Sequence, residues 1–194
     1  ETILAQANWM IEGERGAASP RPRSGRGLSY CTDVKSARIL YITPGYQLIA
    51  LDAKTGVRIR TFGDSGAVDL KKQMDTPVLP DLTTGEIGYQ GAPVIGRDVV
   101  IIGAAFREGG SPKSYRNNKG DIRGFHVRTG KKLWTFHTIP RKGEYGYDSW
   151  LNNSADDAGN TGVWTQITVD EELGLVYLPV ESPTGDYFGG HRPG

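Results

Sequence analysis

The sequence is short of the residues from which most metal and redox centres are made. A single cysteine, Cys31, excludes an internal disulfide and a cysteine-rich metal site, and a buried inert thiol is its ordinary role. The three histidines, His126, His137 and His191, lack a metal-binding spacing such as His-Glu-x-x-His. No run reaches the roughly 18 apolar residues of a membrane-spanning helix. An excess of one charge is missing too: 23 Lys and Arg stand against 22 Asp and Glu, a net of +1. Nothing in that balance points to a nucleic acid or an anionic membrane as partner. Thr2 to Met10 is too short for a signal peptide and has no basic flank. No stretch carries a convincing helical period.

Turn chemistry, by contrast, is abundant. The 27 glycines and 11 prolines, with only 37% hydrophobic residues, favour an all-β chain of many short strands. The clearest unit runs from Gly120 to Thr138. Ile122, Gly124 and His126 alternate with Arg123, Phe125 and Val127; Thr129-Gly130 turns the chain; Leu133, Trp134 and Phe136 return as an aromatic strand. Tyr46 to Phe62 repeats the unit. Superposing Thr55-Gly56 on Thr129-Gly130 sets Ala50 on Gly124, Asp52 on His126 and Arg60 on Trp134. Two copies of one hairpin predict a repeat architecture.

The same order surrounds each hairpin. Leu28 to Cys31 and Arg38 to Thr43 precede the first copy; Ala92 to Ile95 and Val99 to Ala105 precede the second. Val163 to Val169 and Leu175 to Val180 open a third unit, and the acids between them, Asp170 and Glu171, read as solvated turn residues. Glu12 to Gly27, Gly63 to Gly91 and Phe106 to Lys119 read as loops, of a length that is often functional. Four-stranded antiparallel units that recur in this way stack around an axis. The predicted fold is therefore all-β, a single partial β-propeller domain. Its blade-like units lie near 27–62, 91–138 and 163–194, about two and a half blades against the roughly 4–8 of a closed ring. The remaining blades are expected as packing partners.

The pattern Ala-x-Asp-x-x-Thr-Gly-x-x-x-Trp resembles the tryptophan-docking repeat of eight-bladed quinoprotein dehydrogenases, which use pyrroloquinoline quinone (PQQ). Ala50, Asp52, Thr55 and Gly56 match in the first copy, with Arg60 at the Trp position; Thr129, Gly130 and Trp134 match in the second, with Gly124 and His126 as departures. Arg26 to Tyr30, Gly91 to Ala105, Ile122 to Phe125, Thr161 to Trp164 and Asp170 to Gly194 resemble the N-terminal half of that ring in order and spacing. The likeness is to the sugar- and alcohol-oxidising branch usually labelled quinoprotein glucose dehydrogenase.

This resemblance implies a periplasmic enzyme, membrane-associated in some full-length forms. It would oxidise a sugar or alcohol and pass electrons to a quinone or cytochrome. It implies Trp164 as the aromatic floor under PQQ, Arg26 as the guanidinium that grips a cofactor carboxylate, and Gln90 as a polar cofactor contact. It also implies calcium or magnesium, with Glu181 and Ser182 as oxygen donors; Lys119 stands where methanol-oxidising members place a glutamate ligand, and its charge would oppose binding. Pro20 and Arg21 occupy the places of the adjacent cysteines of those members. No catalytic residue is assigned, because the family's general-base aspartate falls beyond Gly194; the 194 residues alone are expected to be inactive. The departures at Arg60 and His126 leave a second reading open, a non-catalytic propeller scaffold that binds other proteins.

Overall fold

The computed structural model describes residues 12–20, 27–33, 36–75, 81–83, 87–106, 116–185 and 187–194. It is built of short antiparallel strands. The first sheet is a meander of β1 (Leu28–Thr32), β2 (Ala37–Ile42), β3 (Gln47–Asp52) and β4 (Ala67–Asp69). β5 (Ile87–Gly88) pairs with β8 (Ala105–Phe106). The second four-stranded sheet has the order β10-β9-β7-β6, from β6 (Val94–Gly96), β7 (Val99–Ile102), β9 (Ile122–His126) and β10 (Lys132–Phe136). β11 (Thr168–Asp170) and β12 (Leu175–Tyr177) form a further hairpin.

The structure corrects the sequence reading in three places. The fourth strand of the first sheet is β4, not the return limb after Thr55-Gly56. That limb, with Arg58 and Arg60 solvated, makes a single bridge from Arg58 to Leu51. Phe62 is fully buried, and the chain reverses through Gly63 and Gly66 to lay Ala67, Val68 and Asp69 opposite Ile49, Leu48 and Gln47. The segment read as a long loop after Gly63 thus supplies β4 and β5 and buries Leu70, Ile87 and Tyr89. Short helices also occur: α1 (Gly13–Ala17), α2 (Ser154–Asp157) and two single 3-10 turns at Tyr147–Ser149 and Leu151–Asn153. They are too short to carry an amphipathic period. Polar latches hold α1 instead: Glu12 accepts hydrogen bonds from Thr43, Gln47 and the Gly45 N–H, and Arg15 grips both oxygens of Asp69 at 2.7 and 2.9 Å.

The two four-stranded sheets share one core, in which Leu40, Leu48, Phe62 and Leu70 meet Val100, Ile102, Phe125 and Val127. Buried arginines pin the sheets together. Arg123 of β9 donates to the Leu70 carbonyl (2.6 Å) and the Tyr46 hydroxyl (2.5 Å), and its guanidinium stands 5.4 Å from the Tyr46 ring centre. Arg38 of β2 reaches the Val127 and Arg128 carbonyls of the second hairpin turn. A backbone bond from Gly63 to Thr129 (2.9 Å) and the bare Cα of Gly130 against Val68 complete the seam.

Candidate cofactor site

Three backbone ribbons meet beside this core. Residues 117–120 run parallel to 159–162, bridged at Lys119 and Asn160, with the Gly120 N–H donating to the Asn160 carbonyl at 2.6 Å. Residues 181–184 lie antiparallel on 159–162. Asn160 faces Pro183, the Glu181 N–H donates to the Gly162 carbonyl and the Thr184 N–H to the Gly159 carbonyl, both at 3.0 Å. The approach requires missing side chains. A β-carbon at 120 would collide with the Gly162 Cα, and one at 162 with the Ala104 carbonyl.

The central ribbon is strained. Asn160 and Thr161 both take left-handed backbone angles, φ 60° and 57°, at a cost of about 1–3 kcal/mol each. Both are buried, and Thr161 meets Thr138 through their hydroxyls at 2.8 Å. Val163 is then fully buried, whereas Trp164 keeps 42% of its surface exposed. Trp164 thus carries a half-exposed indole at the end of an over-determined segment.

Of the residues singled out from sequence, Trp164 stands on this ledge. Gln90 is half-buried and sits between Tyr89 and Gly91. Both flanking residues touch the ledge: the Tyr89 hydroxyl lies 3.4 Å from the Thr165 carbonyl, and that same carbonyl stands 3.1 Å from where a β-carbon of Gly91 would be. Arg26 lies outside the described residues; its neighbour Gly27 packs its Cα against Ala92, two positions after Gln90. Glu181 and Ser182 are on the third ribbon, Glu181 half-buried and Ser182 exposed. Glu181 Oε1 lies 3.1 Å from the position a β-carbon of Gly162 would take.

The charges nearby are engaged. Lys119 donates to the Ala158 and Asp156 carbonyls, at 2.6 and 3.1 Å, at the end of α2. Burial, opposed by its acidic neighbours, lowers its ammonium to about 8. Burial likewise pushes the Asp121 carboxyl up, against the pull of Arg141, with which it pairs.

The donor set on the ribbons is all oxygen, which suits a hard cation. To the Glu181 carboxylate and Ser182 hydroxyl the structure adds Asn160, whose buried Oδ1 has no hydrogen-bond partner among the described residues. Among those residues no three of His, Cys, Asp and Glu come together. Sequence reasoning passed over Asn160 and used Thr161 only as part of the turn before the tryptophan. Their signal was the turn-forming run Gly159-Asn160-Thr161-Gly162 just before the tryptophan.

The strand order and sheet stacking are those of a β-propeller. A solved quinohemoprotein alcohol dehydrogenase, ADHIIG of Pseudomonas putida HK5, superposes with a TM-score of 0.62 at 22% identity, over 88% of this chain and 23% of that one. The enzyme of the same class from Comamonas testosteroni gives 0.61 at 20% identity, over 90% and 24%. The family model described as PQQ: Glucose/ethanol/alcohol dehydrogenase, beta-propeller domain, matches residues 4–194. The chain belongs to this family of quinoprotein dehydrogenases, as a partial propeller. It is 31% identical over 162 residues to the quinoprotein glucose dehydrogenase of Gluconobacter oxydans (strain 621H), covering 83% of this chain and 19% of that protein. It is 27% identical over 186 residues to the glycerol dehydrogenase large subunit of the same organism, covering 92% and 24%. The chain thus spans about a fifth to a quarter of the length of these relatives.

Proposed function

We propose that this chain supplies the cofactor floor of a periplasmic PQQ-dependent dehydrogenase that oxidises a sugar or alcohol and delivers electrons to a quinone or cytochrome. The observation that carries the reading is the half-exposed indole of Trp164 on a segment held by two neighbouring ribbons and two left-handed residues. A flat, conjugated, tricarboxylated ring needs a flat apolar support, and a rigid exposed indole provides one. When bound, PQQ supplies the two-electron acceptor chemistry.

The chain's own residues bind and orient. Trp164 fixes the plane of the ring. Arg26 grips a carboxylate through two parallel hydrogen bonds, and Gln90 offers its amide beside the ledge. Glu181 and Ser182, with Asn160, would hold calcium or magnesium through oxygen. Two of the three donors of Lys119 go to carbonyls at the end of α2, which fixes its ammonium there with its charge still opposed to a cation.

The test is PQQ titration of the intact protein followed by absorbance and dye reduction. Trp164→Ala is expected to weaken PQQ binding about tenfold or more while leaving the thermal midpoint nearly unchanged, because the side chain is half solvated. Equal affinity in parent and variant would remove the floor role. Absence of PQQ binding in the parent would leave the scaffold reading.

A further inference from the structure

The Trp164 ledge rests on something that neither the family pattern nor the ribbons account for. Gly103, just after β7, has its bare Cα under Val163, and a β-carbon there would collide with the Val163 carbonyl oxygen. The same β-carbon would stand 3.1 Å from Cε2 of Tyr89, which is fully buried and walls the ledge from the other side. Behind the ledge, the Gly103 carbonyl accepts a 2.6 Å hydrogen bond from the Tyr46 hydroxyl. That hydroxyl in turn accepts from buried Arg123 at 2.5 Å. A continuous line of contacts therefore runs from the first sheet through Arg123, Tyr46 and Gly103 to the backbone one residue before the indole.

We propose that Gly103 and Tyr46 are positioning residues for Trp164: the Tyr46 hydroxyl sets the height of the Gly103 backbone, and Gly103 sets the height and tilt of the indole. This deepens the proposed cofactor reading and rests on it. A gap of about 0.5–1 Å between a stacked ring and the indole beneath it already forfeits about a quarter to a half of their dispersion attraction. The Tyr46–Gly103 link, and not the seam between the sheets as a whole, thus controls cofactor affinity, although neither Gly103 nor Tyr46 is asked to touch the cofactor.

The experiment compares the intact protein with Gly103→Ala, Tyr46→Phe and a control, Gly130→Ala, which strains the same seam away from the ledge. Two quantities are read: hydrogen exchange of the 159–167 segment without cofactor, and PQQ affinity by titration. Gly103→Ala is expected to speed exchange across 159–167 and weaken PQQ about tenfold. Tyr46→Phe, which keeps the ring and folds, is expected to do both to a smaller degree, about threefold in affinity. Gly130→Ala should lower stability yet leave the affinity of the folded protein within about twofold of the parent. Affinities in Tyr46→Phe and in folded Gly103→Ala no lower than in the control would overturn the proposal. Should Trp164→Ala bind PQQ as the parent does, the cofactor reading fails separately, and exchange alone decides: 159–167 loosened in Gly103→Ala upholds the positioning role, and 159–167 unchanged refutes it.

Discussion

At the scale of single residues, the two copies of the hairpin solve the same local problems with different side chains. In the first copy Asp52 Oδ1 accepts from the Lys54 and Thr55 N–H groups and the Thr55 hydroxyl, which holds its carboxyl below the ordinary range. In the second, His126 Nδ1 accepts from the Arg128 and Thr129 N–H groups at 3.2 and 3.3 Å. The histidine that looked like a departure from the repeat does the aspartate's work. Gly124 has a similar explanation: the Trp134 indole lies directly over its Cα, leaving no room for the Ala50 methyl of the first copy, where Arg60 replaces the tryptophan. We expect His126→Asn, which keeps an acceptor near that place, to preserve stability within about 0.5 kcal/mol. His126→Ala should lose about 1 kcal/mol, as read by urea denaturation. Equal loss in both variants would show that the ring, not its nitrogen, matters.

At the scale of elements, apolar packing joins the sheets and buried cations fix their register. Interdigitated Leu40, Leu48, Val100 and Phe125 hold the sheets face to face, but their contacts name no particular partner atom. Arg123 does, because its two donors require the Leu70 carbonyl and the Tyr46 hydroxyl at fixed places. Arg123→Met keeps most of the volume but removes the charged donor, leaving the Leu70 carbonyl only the 3.3 Å bond from the Gln73 N–H and the Tyr46 hydroxyl only its donation to Gly103. We expect it to cost about 2–4 kcal/mol and to reduce PQQ affinity through the Tyr46–Gly103 line. Denaturation and cofactor titration on one preparation check both parts; a stability loss below about 1 kcal/mol would mean the acceptors find other donors. Both Thr-Gly turns and the second hairpin were legible in sequence, because turn chemistry and alternation are local; the return limb after Thr55-Gly56 was not a sheet strand. β4 was not legible: it is three residues long, and it forms because Phe62 is pulled inward and the glycines at 63 and 66 permit the reversal.

At the scale of the whole molecule, the titrating groups pull in opposite directions at the two ends of the pH range. For Asp69, burial alone would raise the carboxyl, but Arg15 overrides it and holds the group down. Asp52, Asp75 and Glu144 are also lowered. Groups depressed in the folded state contribute stability above their unfolded values and lose it as pH falls, so the protein should weaken below about pH 4, with Asp121, raised by burial, acting in the opposite sense. Lys71 behaves differently. Burial lowers its ammonium to about 8, so between pH 8 and the unfolded value near 10.4 the unfolded chain holds the extra proton and stability should rise with pH. Lys119, also lowered to about 8, contributes to the same rise, so Lys71→Met is expected to reduce it in part, measured by urea unfolding at pH 7 to 10; an unchanged slope would exclude Lys71 as one of its sources.

By itself the sequence determined the all-β class and the recurring Thr-Gly turn, because both follow from short-range pattern and turn chemistry; its motifs carried the resemblance that pointed to the family and put Trp164 forward as the floor. Arg26 lies outside the described residues, so its place beside the ledge remains part of the proposal. Only the tertiary structure decided that Asn160 and Thr161 carry left-handed strain, that Lys119 donates to carbonyls at the end of α2, and that the bare Cα of Gly103 lies against the Val163 carbonyl. The reason is distance along the chain. Gly103 and Val163, or Arg123 and Tyr46, are separated by many residues and meet only when the sheets stack, and no local pattern encodes which bare Cα will lie beneath which carbonyl.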